Sequence, residues 1–119
     1  MIAEAKTLVT AYGEHVRQKR LDDLLALLSE DAIIHMPDTL PLEGKVTIRE
    51  FYEANFCNAD YHFSLEFTDV KEVAELVFIN GLMNKEVRSE ENRRNKKYDF
   101  SFILKKVQGR LKIFQMRLV

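Results

Sequence analysis

Apolar residues in the first part of the chain recur at three- and four-residue steps. Ile2, Ala5, Leu8, Val9, Tyr12 and Val16 share one face and predict an amphipathic helix. Glu4 near its start and Arg17, Lys19 and Arg20 near its end suit the helix dipole. The segment LDDLLALLSE (21–30) predicts a second helix, with Leu21, Leu24, Leu25 and Leu28 as its stripe and Asp22 and Asp23 in its first turn. Ile33 and Ile34 are β-branched and Pro37 closes the run, which predicts a short strand or extended piece. Asp38, Pro41 and Gly44 give the next stretch turn chemistry. A third helix follows. Thr47 is its expected N-cap, with Glu50 at capping-box spacing, and Ile48, Phe51, Tyr52 and Phe56 form its apolar face.

From residue 61 the period becomes two. Tyr61, Phe63, Leu65 and Phe67 alternate with His62, Ser64, Glu66 and Thr68, the pattern of a half-buried strand. Residues 74–87 predict a longer strand, apolar on both faces from Leu76 to Met83. Residues 88–96 are polar throughout and read as a solvated hairpin tip. Residues 97–106 and 110–119 are the last two strands, joined at Val107, Gln108 and Gly109. Three N-terminal helices packed on a mainly antiparallel sheet make an α+β fold. Strict alternation sets Ile103, Leu111 and Ile113 against Phe100, Phe102 and Phe114, so both sheet faces carry apolar residues. A monomer would expose one set, and a homodimer through the outer sheet face is the expectation.

Composition narrows the function classes. The 119 residues form a single domain, 1–119, with 18 basic and 19 acidic residues and a net charge of -1. That balance gives no field for nucleic acid or anionic membranes. Arg93, Arg94, Lys96 and Lys97 cluster in the hairpin, but Glu90 and Glu91 dilute them and no aromatics interleave. One cysteine, Cys57, excludes an internal disulfide and fits a reducing, cytoplasmic compartment, and its position after the helix-three aromatics suggests a buried or half-buried thiol. No apolar run is long enough to span a bilayer, and the N-terminus has no signal-peptide pattern. The three histidines share no ligand spacing, and no phosphate loop, nucleophile motif or flavin fingerprint is present, so no metal or cofactor is expected.

The segment RLDDLLALLSEDAIIHMPDTLPLEGKVTIREFYEANF, with the ending QGRLKIFQMRLV, resembles the nuclear transport factor 2-like superfamily. That group includes the ketosteroid isomerases and the SnoaL-like polyketide cyclases. The resemblance implies a cone-shaped, cystatin-like fold whose strongly curved sheet wraps the helices around a pocket, and pairing through the sheet. It also implies roles for three polar positions. Tyr12 takes the place of an oxyanion-holding tyrosine, Asp99 lies near that of a protonated aspartic acid, and Met36 stands where the isomerases have their proton-shuttling aspartate. A methionine accepts no proton, so that mechanism lacks its base.

Four residues are therefore candidates for chemistry: Tyr12, His35, Asp38 and Asp99. Each has an ordinary alternative. Tyr12 lies on the core stripe of its helix, and a buried tyrosine with a bonded hydroxyl is a common core element. His35 alternates with Met36 and should face away from it, as a surface or dimer-contact residue. Asp38 shares the parity of Met36 but follows Pro37 in a turn. Asp99 groups with Ser101 and Ile103 against Tyr98, Phe100 and Phe102, and alternation alone leaves open which set faces inward. His15, one turn from Tyr12, is expected on the surface. Tyr12, Ile34, Met36, Phe51, Tyr52 and Phe56 are the expected lining of an apolar pocket. Three functions remain open: a binding protein for a small hydrophobic molecule, an isomerase or cyclase using a pocket Asp or His as base, and a dimeric scaffold whose aromatics simply fill the core.

Overall fold

The computed structural model describes residues 1–57 and 59–119. Its elements run α1 (Ile2–Gln18), α2 (Leu21–Ala26), β1 (Leu28–His35), β2 (Leu42–Glu43), α3 (Gly44–Phe56), β3 (Asp60–Val73), β4 (Leu76–Arg88), β5 (Arg93–Val107) and β6 (Arg110–Leu118). The strands form one sheet in the order β2-β1-β6-β5-β4-β3. It is mixed, strongly curved and unclosed: β1 runs parallel to β6 and every other pair is antiparallel. The fold is the expected α+β cone.

The α1 stripe behaves as its periodicity predicts: Ala5, Val9, Tyr12 and Val16 are buried. The helix stops where Lys19 takes a left-handed φ of 58°, and the amides of Lys19 and Arg20 donate to the carbonyls of Val16 and His15. His15, expected on the surface, is half-buried. The second helix is shorter than expected. It ends at Ala26, and β1 begins at Leu28, inside the segment whose leucine spacing suggested more helix. Tertiary pairing explains the difference. Ile113 N–H donates to Leu27 O at 2.8 Å, and Leu28 pairs with Ile113 along the parallel ladder, so the sheet captures this apolar segment. The third helix begins at Gly44 with Glu43 as its cap, which leaves Thr47 inside the helix. Within the expected turn, Leu42 and Glu43 pair with β1 as a two-residue strand.

The long hairpins carry the curvature. Ala74 and Glu75, read from sequence as the start of a strand, instead turn the chain between β3 and β4, with Ala74 at φ 55°. The β4–β5 strands run far into the expected tip and leave only 89–92 between them, closed by Ser89 N–H to Asn92 O at 2.8 Å. Strand β4 is buried at Val77, Ile79, Gly81 and Met83, while its other face is half-buried to exposed, with Leu82 47% exposed. On β5 the buried set is Phe100, Phe102 and Leu104. Leu111 and Ile113 join that inner set instead of opposing it, because the register set at the turn pairs them with Lys106 and Leu104; beyond the shift between Ile103 and Leu104, Met116 and Leu118 take the inner positions. The outward apolar residues are therefore fewer than strict alternation suggests.

The β5–β6 turn has positive φ at both central residues, 53° at Gln108 and 78° at Gly109. Glycine adopts this freely and glutamine does not, whereas asparagine tolerates it. Gln108→Asn should therefore raise stability by about 0.5 kcal/mol. The midpoint of denaturant unfolding checks this, and a lower midpoint would contradict the turn geometry.

Candidate functional site

The helices and the inner sheet face bound a small, partly open cavity of about 70 Å³. Each element contributes through the periodicity that buries it. Val16 comes from the last turn of α1, and Phe51, Tyr52 and Asn55 from α3. Met36 follows β1, Tyr61 and Phe63 come from β3, Met83 and Lys85 from β4, and Leu118 ends β6. The lining is mostly apolar, with the Tyr52 hydroxyl, the Asn55 amide and the Lys85 ammonium as polar features. The Asn55 amide is already committed, donating to Phe51 O at 2.7 Å.

Behind this lining the hydroxyls of Tyr12 and Tyr52 hydrogen-bond to each other. The two tyrosines are only 4% and 5% exposed. Tyr12 packs edge-on against Phe102 at 5.9 Å between centroids, and Phe51 edge-on against Tyr52 at 5.3 Å. Burial pushes both phenols well above the ordinary 10.0, and the nearby Tyr52 charge adds to the effect on Tyr12. Both are therefore neutral at physiological pH. One hydroxyl proton bridges the pair, and the other hydroxyl keeps a proton to donate elsewhere.

These raised values bear on stability. The unfolded tyrosines ionise near pH 10 while the folded ones hold their protons, so stability is intact below that pH and falls above it. Each buried tyrosine should contribute a slope of about 1.4 kcal/mol per pH unit. Denaturant melts between pH 8 and 12 should show the fall, and the double variant Tyr12→Phe/Tyr52→Phe should lose most of it. An equal fall in the double variant would assign alkaline instability to other groups.

The structure brings Met36, Phe51 and Tyr52 together at the cavity. Tyr12 stands behind Tyr52 as its bonding partner, Ile34 is fully buried in the core beneath, and Phe56 packs on Tyr52 at 5.2 Å. The acid–base candidates lie elsewhere. His35 is held by Gln115, with its Nε2 3.2 Å from the Gln115 amide nitrogen. Asp38 is exposed beyond β1. Asp99 faces outward with Ser101 and Ile103, which settles the alternation on β5. It lines an open groove of about 330 Å³ on the outer sheet face with Ser64, Glu66, Leu82 and Asn84. That groove is larger but open to solvent, so it offers a bound molecule little desolvation. Cys57, expected to be buried or half-buried, is exposed at the end of α3. The helix stripe ends at Phe56, so the next side chain turns away from the core.

Sequence reasoning missed Val16, Asn55, Tyr61, Phe63, Met83, Lys85 and Leu118 as lining. Phe63, Met83 and Lys85 were legible in part, since they lie on the apolar-parity faces of their strands. What the sequence did not carry is how far β3 and β4 curl around α1 to bring Tyr61 to the end of α3. Among the described residues no cluster of His, Cys, Asp or Glu could hold a metal ion, and no helix is long and apolar enough to cross a membrane.

Comparison with known proteins fits this architecture. No curated protein matches the sequence. Among solved structures, a ketosteroid isomerase-like protein from Erwinia carotovora atroseptica superposes with a TM-score of 0.88 at 16% identity, covering 98% of this chain and 93% of that one. Aln2 from a Streptomyces species gives 0.83 at 15% identity, over 98% and 87% of the two chains. A conserved protein from Planctomyces limnophilus gives 0.83 at 17% identity, over 97% and 93%. At these identities the likeness establishes the fold. The family model of the SnoaL-like domain matches residues 9–112, so the chain belongs to the SnoaL-like domain family, within the nuclear transport factor 2-like superfamily.

Proposed function

We propose that this domain binds one compact, largely apolar molecule inside the cone, in the cytoplasm. The observation that carries the reading is the small, mostly apolar cavity bounded by Met36, Phe51, Tyr52 and Met83. Such a cavity removes much of a ligand's apolar surface from water. Native mass spectrometry of protein purified from its own host tests it. A retained small molecule, absent after unfolding and refolding, supports the reading. Protein without adduct that also binds no small apolar compound overturns it.

An isomerase or cyclase reading has less support. Met36 occupies the place of the proton-shuttling aspartate, and none of His35, Asp38 or Asp99 lines the cavity. A dry cavity of about 150 Å³ is what a benzene ring fills. A fused-ring steroid does not fit about 70 Å³ without opening the cone. Steroid isomerase activity should be at background, and robust turnover would require a base that this geometry does not provide. Met36→Asp probes the placement directly. Desolvation should raise the new carboxyl above its reference of about 3.9, and an ordinary value would put position 36 in solvent.

The small cavity also favours a scaffold role, with assembly as its content. We propose a homodimer through the outer sheet face. Phe78 and Ile103 are register partners on this face, Phe114 of β6 is half-buried, and Leu82 lies two rungs from Phe78 beyond the Asn80–Ser101 pair, so apolar side chains of β4, β5 and β6 share the face with polar ones. A second copy would cover this face by the same patch on its own sheet. Sedimentation should give twice 14.0 kDa at micromolar concentration, and a mass of 14.0 kDa would contradict it.

A further inference from the structure

The inner face of the sheet is apolar until its last two rungs toward the β4–β5 tip. There Lys85 and Lys96 are direct register partners, both on the inward face. Like charges directly opposite each other on a sheet repel. Among the described residues neither lysine is ion-paired, although Glu86 in the next position pairs with both Arg88 and Arg93. Lys85 lines the cavity, and its ammonium lies 5.1 Å from the centroid of Tyr61, another lining residue. Burial, and secondarily Lys96, pull its pKa below the ordinary lysine value. A partly desolvated cation, met by the Tyr61 ring face but by no carboxylate among the described residues, thus sits at the wall of an apolar cavity, with a second cation across from it. A bound anion would relieve both the repulsion and the desolvation.

Resting on the small-molecule reading above, we propose that the ligand is a short-chain aliphatic carboxylate, its carboxylate on Lys85 and its alkyl tail among Met36, Phe51, Tyr52 and Met83. The class follows from charge and size. The cation demands an anionic head, and the lining demands an apolar tail. If about 150 Å³ holds a six-carbon ring, about 70 Å³ holds roughly three carbons of tail. Lys96, which is exposed, supports the head group from the solvent side.

Butanoate and 1-butanol share a tail and differ in charge, so they separate the two contributions. Protein carrying ¹³C-methyl methionine is titrated with each at constant ionic strength. The methyls of Met36 and Met83 report the cavity, and Met116, buried elsewhere in the core, is the control. Butanoate should shift Met36 and Met83 with a Kd about tenfold lower than that of 1-butanol. Lys85→Met should bring that ratio close to one while 1-butanol still binds. Equal affinities in the wild type would overturn the carboxylate assignment alone, as would a preference that survives in Lys85→Met. If neither compound moves the two methyls, the binding reading fails with it. The wild-type comparison decides the matter even if the variant folds poorly.

Discussion

Gly81→Ala should destabilise the protein by about 2–3 kcal/mol. Gly81 sits mid-strand in β4, between Phe67 of β3 and Phe100 of β5. A Cβ built there would lie far inside van der Waals contact with the carbonyl oxygen of Glu66, and 2.5 Å and 2.8 Å from two carbons of the Phe100 ring. The ring could swing away at a cost. The carbonyl could not, because it belongs to the β3–β4 ladder. The β3–β4 register shifts between Phe67 and Asp69, beside this glycine, so bulge and glycine together set the sharp bend. Phe100 covers the gap and packs edge-on against Phe67 at 6.1 Å and Phe102 at 5.5 Å. The loss should appear in equilibrium denaturant unfolding. A variant of unchanged stability would mean that the sheet does not press on Gly81 as described.

Tyr52→Phe and Tyr12→Phe should each cost about 2 kcal/mol, while the double variant should cost less than either. Each single change strands a buried hydroxyl that has lost its partner, and the penalty is the desolvation of that group. Removing both leaves two edge-packed rings with nothing to satisfy. The coupling in the cycle should therefore be large and favourable to the pair. Unfolding midpoints of the four proteins give it. Additive single effects would show that the hydroxyls find separate partners, and would remove the reason for treating Tyr12 as the support of Tyr52.

Much of the fold was legible where one face of an element meets water. The α1 stripe assigns the core because burial there follows a single period, and the alternation of β5 separates its two faces without saying which is inward. Legibility failed where tertiary pairing overrides local spacing. Leu28 has helical spacing from Leu24 and Leu25 but is held in a parallel ladder by Ile113, over eighty residues away in sequence. It failed again along the β5–β6 hairpin, where the pairing set at the turn puts Leu111 and Ile113 on the inner face and the bulge then hands that face to Met116 and Leu118. The candidate site was half legible. Phe51 and Tyr52 lie on a helix whose face is fixed locally and Met36 directly follows β1, whereas Lys85 reaches the cavity only through the curl of the long β3–β4 hairpin around α1. A lysine two residues past Met83 reads as the end of a buried face, and its lack of a partner is visible only in three dimensions.

The small apolar cavity inside the cone is the feature on which the binding reading stands, and xenon-pressurised crystals test it most directly. A dry apolar cavity takes up xenon, whereas a packed core or a hydrated groove does not. One xenon atom is expected among Met36, Tyr52 and Met83. Electron density for xenon only in the outer groove near Asp99, or none at all, would contradict the presence of a ligand site inside the cone.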